Sequence, residues 1–187
     1  MSEELKTITA GPYTLVARVI DDTYCGALWH TGKKEETLKG TSIDDVWEKL
    51  VNELYKRQVL VASARNGAEP TADEAAKAFL RIEPRLHAAH KAMLRAHLKS
   101  EGRNITATQL ATAAGYAGYP AANLHYGLLG AMLFAEMPEE LPKGSNGAPI
   151  MTCAIASLDD QRSSPEHQWI WKMRPHIVEG LKMAAIL

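Results

Sequence analysis

Residues Ile105 to Met137, ITATQLATAAGYAGYPAANLHYGLLGAMLFAEM, decide how this chain is read. Thr106 and Gln109 stand at capping-box spacing, and Ile105 precedes the cap where it can staple onto Leu110. A short helix is therefore expected from this point, ending at Gly115. The segment YAGYP then makes a tight turn, and Pro120 suits the first turn of a longer helix through AANLHYGLLGAMLFAEM. A preceding helix is expected over Arg85–Lys99, with Leu86, Met93, Leu94 and Leu98 as its buried stripe and Gly102 as its stop. Three helices, the last two joined by a short glycine-containing turn, form a helix-turn-helix.

The C-terminal segments extend that pattern. Two apolar stretches, IMTCAIAS (150–157) and HQWIWKM (167–173), flank the polar loop LDDQRSSPE, and Trp169, Trp171 and Met173 alternate as in a half-buried strand. A closing helix is expected in RPHIVEGLKMAAIL, with Pro175 near its start. Helices followed by a β-hairpin give the winged-helix order, over residues 84–187. An unrelated α+β packing with the same element order is the alternative.

The first part reads differently. YTLVARVI (Tyr13–Ile20) has the β-branched and aromatic content of a strand, the pair Asp21 and Asp22 a turn, and DDTYCGALWHT a second strand. A third short strand is expected near KEETLKG. Ser42 with Asp45 approximates a capping box before TSIDDVWEKLVNELYKRQ, whose Ile43, Val46, Trp47, Leu50, Val51 and Leu54 follow helical spacing. Residues 1–58 are thus expected as a small antiparallel sheet with one helix. VLVASARNGAEP reads as a strand and then a linker with Asn66-Gly67 as its turn, and Thr71 with Glu74 caps a connector helix, so that 59–83 link the two domains.

Composition narrows the classes. The 187 residues suffice for one ordinary domain or two small ones, and 46% hydrophobic with 23% charged residues is globular usage. Residues 1–79 hold 10 basic and 13 acidic side chains, whereas 80–187 hold 11 and 9, with six of the seven histidines. A formal net charge of −1 excludes a uniformly basic coat but leaves room for a local basic patch. Cys25 and Cys153 lack a CxxC context and read as reduced thiols of a cytoplasmic protein. MSEELK has no apolar h-region, and no apolar run approaches the ~18 residues of a membrane span.

The stretch ITATQLATAAGYAGYPAANLHYGLLG, followed by W-x-W-x-M-R-P-H-I-V-E-G-L, resembles a small bacterial module of restriction-associated (HNH-endonuclease-linked) and uncharacterised proteins. In that module a T-x-x-x-L-A-x-A-x-G-Y segment leads into A-A-N-x-x-Y-G-x-L-G and closes on a W-x-W-x-x-R-P corner. The resemblance spans about residues 105–181, and it implies recognition of DNA or modified DNA beside a nuclease. No H-N-H cluster and no paired carboxylate–lysine arrangement is present in this chain.

A third helix set in a major groove would present its early residues to base edges, so Asn123 becomes the candidate for bidentate adenine recognition. Tyr119, His125 and Tyr126 are candidates for phosphate or thymine-methyl contacts, although Tyr126 also reads as a core or rim aromatic. No Lys or Arg occurs between Arg103 and Lys143, so phosphate contacts fall to Arg95, Lys99, Arg103, Lys143 and Arg162. A symmetric homodimer would double that set. Gly127 and Gly130 each cost the helix on the order of 1 kcal/mol against alanine, which suggests close approach of another backbone.

No metal site is expected. His87, His90 and His97 share a helix, but residues 90 and 97 lie about 10 Å apart along it and no Cys, Asp or Glu stands at ligand spacing. Catalytic residues and cofactors are not expected either. Ser163 and Ser164 lack an elbow motif, Cys25 with His30 is a hairpin neighbour pair, and GSNG is a turn rather than a phosphate loop. Two functions are carried forward. One is a DNA-binding protein of bacterial or phage origin, acting in restriction, anti-restriction or transcriptional control. The other is a protein-interaction module that uses the winged helix as a scaffold to regulate a nuclease or defence complex.

Overall fold

A computed structural model describes residues 5–159 and 169–187. The chain is α+β. A four-stranded antiparallel sheet with a helix comes first, followed by helices and a small three-stranded sheet. It divides into two compact units, Met1–Gly67 with Pro138–Glu140, and Ala68–Met137 with Leu141–Leu187. No helix among the described residues is long and apolar enough to cross a membrane.

In the first unit, strands β1 (Leu5–Ala10), β2 (Tyr13–Ile20), β3 (Thr23–His30) and β4 (Lys33–Gly40) form a meander in sequence order. Asp21-Asp22 and Thr31-Gly32 are two-residue connections with both φ positive, matching the right-handed twist of the strands they join. Leu15, Ala17 and Leu28 point to one face and pack on helix α1 (Ile43–Ser63). The Ser42 hydroxyl accepts from the Asp45 amide at 3.1 Å. The Asp45 carboxylate reaches the Thr41 amide at 2.8 Å, and this bond, helped by Lys49, holds its pKa below the ordinary value.

Two findings differ from expectation here. β1 pairs with β2 over Tyr13 to Arg18, although its short sequence next to an acidic start gave little signal. α1 also runs on through VLVAS, where a strand or linker was expected. Leu54, Gln58 and Ala62 continue its buried stripe every four residues, while Val59, Leu60 and Val61 face solvent. The β-branched composition is overridden because the helix already has a sheet to pack on. Consequently the first unit extends to Gly67 rather than to residue 58.

In the second unit, α2 (Ala72–Ile82) begins with the complete Thr71–Glu74 capping box and packs on α6 (Pro175–Ala184). Pro84 sits in a 3-10 turn, Glu83–Arg85, that ends α2. α3 (Ala88–Lys99) follows, then strand β5 (Asn104–Thr106), α4 (Ala107–Ala114) and α5 (Tyr119–Glu136). The Thr106–Gln109 box is complete, Ile105 and Leu110 are both buried in one core, and Gly115 ends α4 in the left-handed region. Glu136 is buried at the C-terminus of α5, where a carboxylate opposes the helix dipole. Arg81 Nε at 2.6 Å and Arg85 Nη2 at 3.2 Å compensate it.

IMTCAIAS is not one strand. Met151–Ala154 form a buried 3-10 turn, and strand β6 (Ala156–Asp159) begins after it. β7 (Ile170–Met173) pairs with both β6 and β5, giving the order β5-β7-β6. Trp171 and Met173 face the core, while Trp169 precedes the strand and is exposed. The 3-10 turn explains a glycine. A Cβ on Gly130 would lie 2.0 Å from the Met151 carbonyl oxygen, so the backbone approach anticipated from sequence lies within this unit. At Gly127 the nearest atom would be Thr152 Oγ1, at an ordinary 3.8 Å.

Gly130→Ala should therefore lower stability by about 1–3 kcal/mol through overpacking. Gly127→Ala should be neutral or stabilising by up to ~1 kcal/mol through helix propensity. Urea unfolding of the two variants tests this, and equal effects would contradict it.

Candidate functional site

One buried imidazole bonds α3 to α5 and to the strands beside it. His97, fully buried on α3, lies with Nε2 2.9 Å from the Arg103 carbonyl oxygen and 3.0 Å from that of Trp171. Carbonyls only accept, so Nε2 carries the proton and Nδ1 is the acceptor. The Tyr126 hydroxyl on α5 donates to that Nδ1 at 2.6 Å. Burial pushes the His97 pKa down to about 4, the two carbonyls opposing that shift only in part. Burial likewise drives the Tyr126 phenol far above its ordinary value, so it stays protonated.

This corrects one candidate contact. Tyr126 is 1% exposed and committed to His97, so it cannot reach a phosphate or a base. The other α5 candidates stand differently. Tyr119, at the first residue of the helix, is 50% exposed, and Asn123 one turn on is also exposed. His125 is half-buried and stacks on Tyr116 in the inter-helix turn, with ring centroids 4.9 Å apart. Beside Asn123, α5 exposes Leu124 (61%) and Leu128 (49%) rather than cations.

The candidate cations share a property that spacing could not reveal. Arg95, Lys99 and Lys143 are exposed or partly so and Arg103 is half-buried, and none has a carboxylate partner among the described residues. Lys172 on β7 is likewise unpaired among the described residues. The unit's other described cations are neutralised: Lys77 by Asp73, Arg81 and Arg85 by Glu136, Lys91 by Glu83, Arg174 by Glu69 and Lys182 by Glu179. Arg162, with Ser163 and Ser164, lies outside the described residues.

A histidine cluster, which sequence spacing did not assemble, adjoins the turn. His87 precedes α3, His90 lies in its first turn, and His125 comes from α5. The rings of His87 and His90 stack with centroids 3.5 Å apart, and His125 meets them edge-on at 5.7 and 6.1 Å. One ring nitrogen from each lies within 4.8 Å of the others. Both nitrogens of buried His90, and Nδ1 of His125, lack a partner at hydrogen-bonding geometry. Burial, reinforced by the neighbouring His87 and His125, lowers the His90 pKa to about 4, and the nearby His125 backbone offsets this only weakly. Three imidazoles converging without a carboxylate can hold a transition-metal ion. The i, i+3 pair was visible in sequence, whereas the third member comes from a separate helix and joins it only in the fold.

In the first unit, the sheet face opposite α1 forms a shallow hollow of 430 Å³. Trp29, Val16, Arg18 and Lys34 line it, and no carboxylate does. No family model, curated protein or solved structure matches the chain.

The buried bond predicts two effects. Tyr126→Phe should destabilise the fold by about 1–3 kcal/mol, since His97 Nδ1 loses its donor inside the core. With a folded pKa near 4 and an unfolded value near 6.5, His97 takes up a proton on unfolding between those pH values. Stability should accordingly fall on acidification through that window, by at most roughly 1.4 kcal/mol per pH unit for this group. Urea titrations at pH 7 and pH 5 read this together with the same contribution from His90, and equal stability at both would contradict the assignment.

Proposed function

We propose that the second unit is a winged-helix-type module that binds duplex DNA, in a protein of bacterial or phage origin acting in restriction, anti-restriction or transcriptional control. The observation that carries this reading is the set of cations without acid partners. A unit that pairs six of its cations internally, yet leaves Arg95, Lys99, Arg103 and Lys143 without acid partners among the described residues, retains charge for an outside anion. The element order supports it, with α3, β5, α4, α5, β6 and β7 in sequence and β7 central in the sheet. Exposed Asn123 near the start of α5 is the base-reading candidate, and Tyr119 beside it can meet the backbone. His125 is turned towards the histidine cluster and contributes by supporting the turn. A homodimer would double the phosphate contacts.

A second reading has its own observation. Leu124 and Leu128 form an exposed apolar pair one turn apart on α5, which favours a protein surface over a phosphate backbone. In that reading the helix-turn-helix is a scaffold that docks on a nuclease or another component of a defence complex.

Fluorescence anisotropy of a labelled mixed-sequence duplex separates the two. Four phosphate contacts predict saturable binding whose log affinity falls against log salt with a slope of roughly −3 to −4. Arg95→Ala and Lys99→Ala should each make that slope shallower by about 1, and Asn123→Ala should blunt sequence preference. Absence of binding at low salt would overturn the DNA reading and move the search to protein partners of Leu124 and Leu128.

A further inference from the structure

We propose that His87, His90 and His125 form a binding site for a zinc-class divalent transition-metal ion, with three imidazole ligands and a fourth position open to solvent. This inference is independent of whether the unit binds DNA. It rests first on the arrangement itself. Three ring nitrogens from two separate elements lie within 4.8 Å of one another, with no acidic side chain among them. In a tetrahedral site with Zn–N bonds of about 2.0–2.1 Å, ligand nitrogens are ~3.4 Å apart. The widest gap therefore has to close by only roughly 1.4 Å. His87 is the exposed member of the set, so a shift of its ring can supply that closure.

The second observation is unmet hydrogen bonding. His90 is 4% exposed, yet neither of its ring nitrogens has a partner at bonding geometry, and Nδ1 of His125 is similarly orphaned. Buried polar atoms nearly always find partners, so three orphaned nitrogens beside one another are consistent with a bound ligand. A metal takes up one lone pair from each imidazole.

The donor set decides the class of ion. Nitrogen-only imidazole ligation suits Zn²⁺, Co²⁺, Ni²⁺ or Cu²⁺ and is poor for Mg²⁺ or Ca²⁺, which need oxygen donors. Tyr116 stacks on His125 and fixes its plane, an orienting role like that of outer-shell partners in metal sites. Because Tyr116 belongs to the turn between α4 and α5, a bound ion would tie the start of α3 to that turn.

The test uses the full chain, stripped with chelator and titrated with Zn²⁺ against a chromophoric competitor, then with Co²⁺ followed by visible absorption. The expected result is one ion per chain, with the visible d–d bands of a four-coordinate Co²⁺ site. Mg²⁺ should not compete. His87→Ala and His125→Ala should each weaken Zn²⁺ binding by at least about tenfold, since losing a ligand costs no less than losing its orienting partner. His87 is exposed, so its variant keeps the fold and its result is decisive even where His125→Ala unfolds. His30→Ala, in the first unit, should leave affinity unchanged. Substoichiometric binding, an affinity unaltered in His87→Ala, or a loss in His30→Ala would each overturn the proposal.

Discussion

The second unit depends on a constraint at one ring. His97 must remain neutral, with its proton on Nε2, to face the Arg103 and Trp171 carbonyls while accepting from Tyr126. That single imidazole links α3 to the entry of β5, to the central strand β7 and to α5. The backbone bends to serve it. Gly102 and Arg103 both adopt positive φ, and the chain turns there from α3 into β5. A non-glycine residue in that region is uncommon, and it persists here where Arg103's carbonyl meets the His97 ring. Hydrophobic burial around Phe79, Leu94, Leu129 and Ile177 supplies the bulk driving force, but it does not choose a register. The directional bonds at His97 do, because they join a helix to a strand pair at fixed geometry.

Histidine placement also sets how α3 and α5 meet. His125 and Tyr126 are consecutive, yet they reach His90 and His97, two turns apart on α3. One contact is closed and fully bonded. The other is polar and unsatisfied, beside the turn between α4 and α5. Charge is partitioned in a similar way. Glu136 takes Arg81 and Arg85, and Glu83 takes Lys91, whereas α3 and the loop before β6 keep Arg95, Lys99 and Lys143 uncompensated among the described residues. Surface ion pairs add little stability, so this division of charge matters little to the fold.

Much of the fold was legible where local chemistry sets it. Thr71–Glu74 and Thr106–Gln109 are both real capping boxes, Gly115 ends its helix in the left-handed region, and β2 spans Tyr13–Ile20 as its composition suggests. The failures have tertiary causes. Val59 to Val61 read as strand, but α1 was already committed to its sheet through Leu54, Gln58 and Ala62. Asn104–Thr106 is too short to show periodicity and becomes a strand only because β7 pairs with it. Met151–Ala154 curl into a 3-10 turn beneath Gly130, a contact no local pattern encodes.

The candidate site was legible in outline and not in detail. Asn123 and Tyr119 are exposed on α5, whereas Tyr126 one turn beyond Ala122 is turned inward. His87, His90 and His97 lie close together in sequence at the start of and along one helix, and the fold divides them between two contacts of opposite character. The most direct test of the His97 constraint is long-range ¹H–¹⁵N correlation of the histidine side chains across a pH titration. His97 should hold the neutral Nε2–H tautomer down to about pH 5. A His97 ring that titrates near its ordinary value of about 6.5, or carries its proton on Nδ1, would contradict that constraint.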